Sequence, residues 1–102
     1  MTDINKFPII TEAQNEFFKK EGFYNNNILS PDNKLPYLTI AIMWLEKKYN
    51  LVFVTDFIGY RFLTIVKRGN KIVYNTEFES TSDNARSNAL SIIINKINSK
   101  EL

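Results

Sequence analysis

The middle of the chain limits the fold most strongly, because three strand-like runs follow one another there with only short turns between them. Each run is rich in β-branched and aromatic residues, a composition that favours strands. Gly59 lies in the first turn, and the Gly69-Asn70 pair in the second turn is typical of a β-hairpin. Short turns join antiparallel neighbours, so the sequence predicts a three-stranded antiparallel sheet. The predicted strands are residues 51–57, 60–67 and 71–78.

Alternation along the middle strand divides its side chains between two faces, and both faces are apolar. Phe62, Thr64 and Val66 fall on one face. Leu63 and Ile65 fall on the other. Stable monomers seldom leave such a surface in water. We therefore expect the sheet to be covered on both sides, either by the chain itself or by a partner.

The last part of the chain carries the clearest helical pattern. Residues 80–83 are Ser-Thr-Ser-Asp, all common N-cap residues, and the pattern continues to Asn98. Four asparagines and one serine form a polar stripe opposite a wide apolar face, as expected for a helix that packs on a sheet. The apolar face consists of Ala85, Ala89, Leu90, Ile93, Ile94 and Ile97.

Two further helices are predicted before the strands. Thr11 and Gln14 have the spacing of a capping box, so we expect a helix over residues 12–21, with Gly22 in the left-handed position after its end. A polar loop over 25–34 follows. The second helix lies within residues 36–49, with Pro36 at its first position. It carries two apolar stripes: Tyr37, Ile40, Ala41 and Trp44; and Leu38, Ile42, Leu45 and Tyr49.

These elements define an α+β fold of order α-α-β-β-β-α, with the last two helices on one face of the sheet. A length of 102 residues fits one domain. We divide that domain, residues 1–102, into an N-terminal helix and loop, 1–35, and an α-β-β-β-α core, 36–98.

The residue types exclude most catalytic chemistry. The chain contains no histidine and no cysteine, which removes imidazole acid–base catalysis, thiolate nucleophiles and the usual zinc ligands. It has no phosphate-binding glycine-rich loop. We therefore predict a non-enzymatic protein without catalytic residues, cofactor or metal.

The composition also predicts a cytoplasmic protein. Absence of cysteine fits a reducing compartment. The first ten residues lack the apolar segment of a signal peptide, and the longest nearly apolar run, 38–45, is too short to cross a bilayer. We expect no membrane association.

Two charged clusters each have two interpretations. Glu77, Glu79 and Asp83 could hold a divalent cation through oxygen ligands, but a solvated strand end with an acid at a helix N-terminus is the favoured interpretation. The second cluster is basic and surrounds the second turn. A cationic hairpin can contact phosphates, yet lysines also keep a soluble hairpin from pairing at its edge. The candidate nucleic-acid contacts are Arg61, Lys67, Arg68 and Lys71.

Aromatic residues are concentrated in the first half of the chain. Such a set can form a recognition surface, but we favour a core in which the first helix covers the second. The set comprises Phe17, Phe18, Phe23, Tyr24, Tyr37, Trp44 and Tyr49.

Three features of residues 36–98 resemble the phage ABA sandwich proteins, a family of uncharacterised phage- and prophage-associated domains. They are Trp44-Leu45 before a charged helix end, Gly59-Tyr60 at a strand start, and the Ala/Leu/Ile face of the last helix after Asp83. Arg86 departs from the family pattern, which usually has an apolar residue there. The resemblance implies a sheet between helical layers and supplies no established activity.

Together these observations predict a small interaction protein from a phage or another mobile element. Its partner would be another protein or a second copy of the chain. The alternative is a nucleic-acid-binding module that uses the basic hairpin.

Overall fold

A computed structural model describes residues 8–23 and 35–102, and it confirms the α+β fold and its element order. The chain divides into two compact units, Met1–Trp44 and Leu45–Leu102, and the boundary between them falls within the second helix. The predicted loop 25–34 lies entirely outside the described residues. The helices are α1 (Glu12–Lys20), α2 (Leu38–Tyr49) and α3 (Ser82–Asn98), and the strands are β1 (Val52–Ile58), β2 (Arg61–Arg68) and β3 (Lys71–Asn75).

The capping box predicted at the start of α1 is present. The Thr11 hydroxyl accepts a hydrogen bond from the Gln14 N–H at 3.0 Å, and the Gln14 side chain accepts one from the Thr11 N–H at 2.9 Å. Both bonds satisfy N–H groups that the first helical turn leaves without partners. After the helix, Gly22 has a φ of 84°, the left-handed conformation predicted for it.

Aromatic packing forms the core of the first unit, as predicted. Phe17, Phe18 and Phe23 are buried. The Phe18 ring lies 5.0 Å from Phe23 and 5.8 Å from Trp44, both in edge-to-face geometry. Such pairs add stability beyond the apolar area that they bury. Tyr24, predicted to belong to the same set, lies outside the described residues.

The prediction that Pro36 is the first helical residue of α2 is wrong, because the helix begins at Leu38. Residues 36–38 pair with an earlier segment instead. The Pro36 carbonyl accepts a hydrogen bond from the Ile10 N–H at 3.0 Å, and the Leu38 N–H donates to the Pro8 carbonyl at 2.9 Å. These long-range bonds hold the main chain extended up to the start of the helix.

The three strands form one antiparallel sheet in the order β1-β2-β3, as predicted. Gly59 and Gly69 occupy the two turns with φ of 57° and 60°, a conformation that glycine adopts at little cost. β3 ends at Asn75 and not at residue 78. The register shifts in this pair of strands, and beyond the shift Thr76 and Glu79 make separate main-chain bonds to β2.

One face of the sheet packs against α3. On β2, Thr64 and Val66 are fully buried, and their side chains point to the face that this helix covers. The predicted apolar face of α3 supplies the other side of this core. Its fully buried members are Ala85, Ala89, Leu90 and Ile93. In the described part of the chain, every helix is too short or too polar to cross a membrane.

Candidate interaction surface

The sheet has a second face, on which several aliphatic side chains remain in contact with solvent. Strand register places Val52, Val54 and Ile58 of β1 beside alternate residues of β2, on the side opposite Thr64 and Val66. Leu63 and Ile65 of β2 are half-buried on this side, and Ile72 of β3 lies beside Lys67. We call these six aliphatic residues the open face. The exposed fractions are 52% for Val52, 38% for Val54, 51% for Ile58 and 52% for Ile72.

The exposure of the open face bears on the second cover that was predicted. Within the second unit, Leu45–Leu102, no segment removes these side chains from water. Cover of this face from within that unit is therefore absent. Cover by a partner stays a prediction.

The hydrogen bonds of Thr64 show which way the main chain of β1 points. The Thr64 N–H donates to the Thr76 hydroxyl, and the Thr64 carbonyl accepts from the Thr76 N–H, both at 2.9 Å. Thr64 therefore directs its main-chain groups toward β3. Its pair with Thr55 is a non-hydrogen-bonded one, with the two hydroxyl oxygens 2.8 Å apart. In antiparallel geometry, the Thr55 N–H and carbonyl then point away from the sheet.

The same reasoning applies two pairs further along the strand. Phe62 exchanges two main-chain hydrogen bonds of 2.8 Å with Glu79, on the β3 side. Phe57, which lies opposite Phe62, therefore also directs its N–H and carbonyl outward. Among the described residues, no hydrogen bond reaches the outward groups of Thr55 or Phe57.

The outer edge of β1, on the side away from β2, is already hydrogen-bonded at one end. The outward N–H of Phe53 donates to a carboxylate oxygen of Glu46 at 2.8 Å. Glu46 belongs to the last turns of α2, and its main-chain carbonyl also accepts from the Leu51 N–H at 2.9 Å. The carboxylate thus caps β1 near its start and leaves the groups of Thr55 and Phe57 open.

An aromatic cluster stands at the tip of the β1–β2 hairpin. Tyr60 is 89% exposed and has a φ of 68°, which is unusual for a residue with a side chain. The Phe57 ring lies 6.3 Å from Tyr60 and 4.9 Å from Phe62. The prediction that Tyr60 begins a strand is wrong, because β2 begins at Arg61. Tyr60 is the second residue of the two-residue turn, and its side chain projects into solvent.

The four basic candidates do not converge on one surface. Arg68 and Lys71 face each other across the second turn. The Arg68 guanidinium donates to the Tyr49 carbonyl at 3.3 Å and is partly buried. Arg61 lies at the opposite end of β2, about 20 Å from Lys67 at the usual rise per strand residue. The basic hairpin is therefore a group of three residues, one of which serves the fold.

The acidic candidates do not form a metal site in the described residues. No group of three acidic side chains there is arranged to hold a metal ion. Asp83 pairs with Arg86 at 3.2 Å near the start of α3. This ion pair also gives Arg86 a structural role at the position where it departs from the resembled family.

Fold and surface together define a small α+β protein with a meander sheet, one face covered by a helix and one face open. No protein family, curated protein or solved structure matches this chain. The resemblance to the phage ABA sandwich proteins therefore stays a prediction.

Proposed function

We propose that this protein is a non-enzymatic interaction module that binds another protein through the open face of its sheet. The observation that carries the proposal is the exposure of Val52, Val54, Ile58 and Ile72 on one side of a regular sheet. Scattered aliphatic residues on a surface are ordinary, whereas contiguous apolar patches mark interaction sites. Strand pairing places Val54 beside Ile65, which joins the two strands on this face, while Lys67 lies between Val52 and Ile72.

The expected energy of covering this face is large enough for recognition. Full burial of an aliphatic side chain contributes about 1.5–3 kcal/mol, so covering a half-exposed one contributes about 1 kcal/mol. Four such side chains together supply about 4 kcal/mol before the costs of association are subtracted. Additional contacts must come from the charged residues on the same side of the sheet, Asp56, Arg61 and Lys67.

Residue composition and resemblance support the remaining parts of the proposal. The absence of histidine and cysteine fits a protein that works by contact and not by catalysis. The absence of cysteine also fits the cytoplasm. The resemblance to phage ABA sandwich proteins supports a role in a phage or another mobile element.

Binding of the dye 8-anilinonaphthalene-1-sulfonate tests whether the open face accepts apolar ligands. We expect the dye to fluoresce with the wild-type protein and to lose most of that signal with the double variant Val54→Lys, Ile72→Lys. The matched control is Met43→Lys, because Met43 is 58% exposed and belongs to α2, not to the sheet. Equal dye binding by the double variant and the control would refute the proposal, provided that thermal unfolding shows both to be folded.

A second candidate function, nucleic-acid binding, is favoured by one observation. Lys71 is exposed and directly opposite Arg68, so two cations meet at the tip of the second hairpin beside Lys67. Phosphate contacts release counterions, and the affinity then falls steeply with salt. We expect Lys67→Gln, Lys71→Gln to abolish any gel shift that the wild-type protein gives at low salt, while Arg61→Gln, at the far end of β2, leaves it unchanged. Absence of a wild-type shift at low salt would remove this candidate.

A further inference from the structure

We propose that the outer edge of β1 is the place where the partner binds, and that the partner adds an extended strand carrying a lysine or arginine opposite Asp56. This inference rests on the proposed function, since it specifies the partner of the same surface. Strand addition to a sheet edge uses main-chain hydrogen bonds for affinity and alternate side chains for specificity. The edge of β1 offers both.

The main-chain groups of β1 that face outward can accept an added strand. Thr55 and Phe57 each present one N–H and one carbonyl away from the sheet, without a partner among the described residues. An added strand would satisfy these four groups in two hydrogen-bonded pairs. The Glu46 carboxylate holds the next outward N–H, that of Phe53, so the available edge is short and defined at one end.

The size of the open face also favours an added strand. Three strands at about 4.8 Å spacing and five residues at about 3.4 Å rise give a face on the order of 250 Å². A standard protein interface buries about 800 Å² on each partner. The face alone is therefore too small for a stable interface. A strand added beside β1 extends it with new main-chain bonds and a new row of side chains.

The charge of β1 disfavours a second copy of this chain as the occupant. Two β1 strands could pair antiparallel about a two-fold axis in a register that joins Thr55 of one copy to Phe57 of the other. That register uses the outward groups of Thr55 and Phe57, but it places Asp56 directly opposite Asp56 of the second copy. Like charges in directly opposite positions are destabilising. The register that centres on Thr55 instead pairs Phe57 with Phe53, whose N–H already binds Glu46.

The charge of β1 then defines the partner. Asp56 is the one charged residue of this strand, and it lies exposed on the open face between Val54 and Ile58. A partner strand with a basic residue opposite Asp56 and aliphatic residues opposite its two neighbours would match all three positions. Opposite charges at paired positions stabilise a sheet. The Asp56 charge that opposes self-pairing therefore also favours a basic partner.

Titration with a designed peptide tests the inference. The probe is a capped seven-residue peptide in which threonine and valine alternate around a central lysine, and the control peptide has glutamate in the central position. Nuclear magnetic resonance would follow amide hydrogen exchange at Thr55 and Phe57 in the full chain. We expect the lysine peptide to slow exchange at both amides and to bind roughly fivefold more tightly than the glutamate peptide.

A charge reversal separates a specific role of Asp56 from a structural one. The variant Asp56→Lys should prefer the glutamate peptide, and Glu77→Lys, at an exposed position outside β1, should keep the wild-type preference. If a peptide shifts the resonances of Val54 and Ile72 but exchange at Thr55 and Phe57 is unchanged, the inference is overturned while the proposed function stands. The absence of any preference between the peptides, or of its reversal in Asp56→Lys, overturns it as well.

Discussion

At the scale of single residues, Thr76 bonds to β2 just beyond the last residue of β3. It follows the last residue of β3, yet its hydroxyl accepts the hydrogen bond of the buried Thr64 N–H. Its own N–H donates to the Thr64 carbonyl. The Thr76 side chain thus supplies the acceptor that a main-chain carbonyl would supply if β3 continued.

We expect Thr76→Val to lower the free energy of unfolding by about 1–3 kcal/mol, because it leaves a buried N–H without an acceptor. Valine has nearly the same shape as threonine, so the loss reports on the hydrogen bond and not on a cavity. Urea unfolding would measure it. Thr76→Ser is the matched control, since it keeps the hydroxyl and should lose less; an unchanged stability of Thr76→Val would mean that Thr64 finds another acceptor.

At the scale of elements, helix α1 depends on its first turn. The helix has nine residues, which is too few for an isolated helix to be stable in water. The reciprocal bonds between Thr11 and Gln14 fix its start, and the buried Phe17 and Phe18 fix its orientation within the first unit.

Thr11→Ala is expected to destabilise the protein by about 1 kcal/mol, the usual cost of losing an N-cap side chain. Thermal unfolding followed by circular dichroism would measure the change. Thr11→Ser keeps the accepting hydroxyl and should stay close to wild type. Equal losses in the two variants would show that the threonine methyl group, and not the cap, stabilises the start of α1.

At the scale of the whole molecule, the sheet combines an open face with an edge that resists self-pairing. Exposed edge strands are a common route to aggregation, and proteins protect them with charges and with side chains that cover main-chain groups. In β1, Asp56 supplies the charge and Glu46 covers the N–H of Phe53. This protection of the edge fits the proposal that the open face binds a partner of different sequence.

Removing the charge of Asp56 should permit the self-pairing that it prevents. We expect Asp56→Val to dimerise at least about tenfold more strongly than the wild type, since a repulsive pair becomes an aliphatic one. Sedimentation equilibrium would measure association. Asn75→Val is the control, because it adds an aliphatic residue to β3 and leaves β1 unchanged. Equal association of the two variants would attribute dimerisation to added apolar surface and not to the edge.

Part of the candidate surface was accessible from the sequence. The alternation in β2 indicated a second apolar face through Leu63 and Ile65, and a meander order already places β1 at an edge. The outward direction of Thr55 and Phe57 was not accessible, because it depends on which pairs of the ladder carry hydrogen bonds. The separation of Arg61 from Lys67 was accessible too, because the length of the predicted second strand alone implies it.

Local interactions explain what the sequence by itself determined: the capping box at Thr11, the turn glycines and the start of α3 near Thr81. Each depends on groups within a few residues of one another, so a short stretch of sequence is enough to predict it. Tertiary structure alone decided that α2 begins at Leu38, that β3 stops at Asn75 and that one face of the sheet stays open. Those outcomes depend on main-chain hydrogen bonds and packing between distant segments, which outweigh local preferences wherever the two disagree.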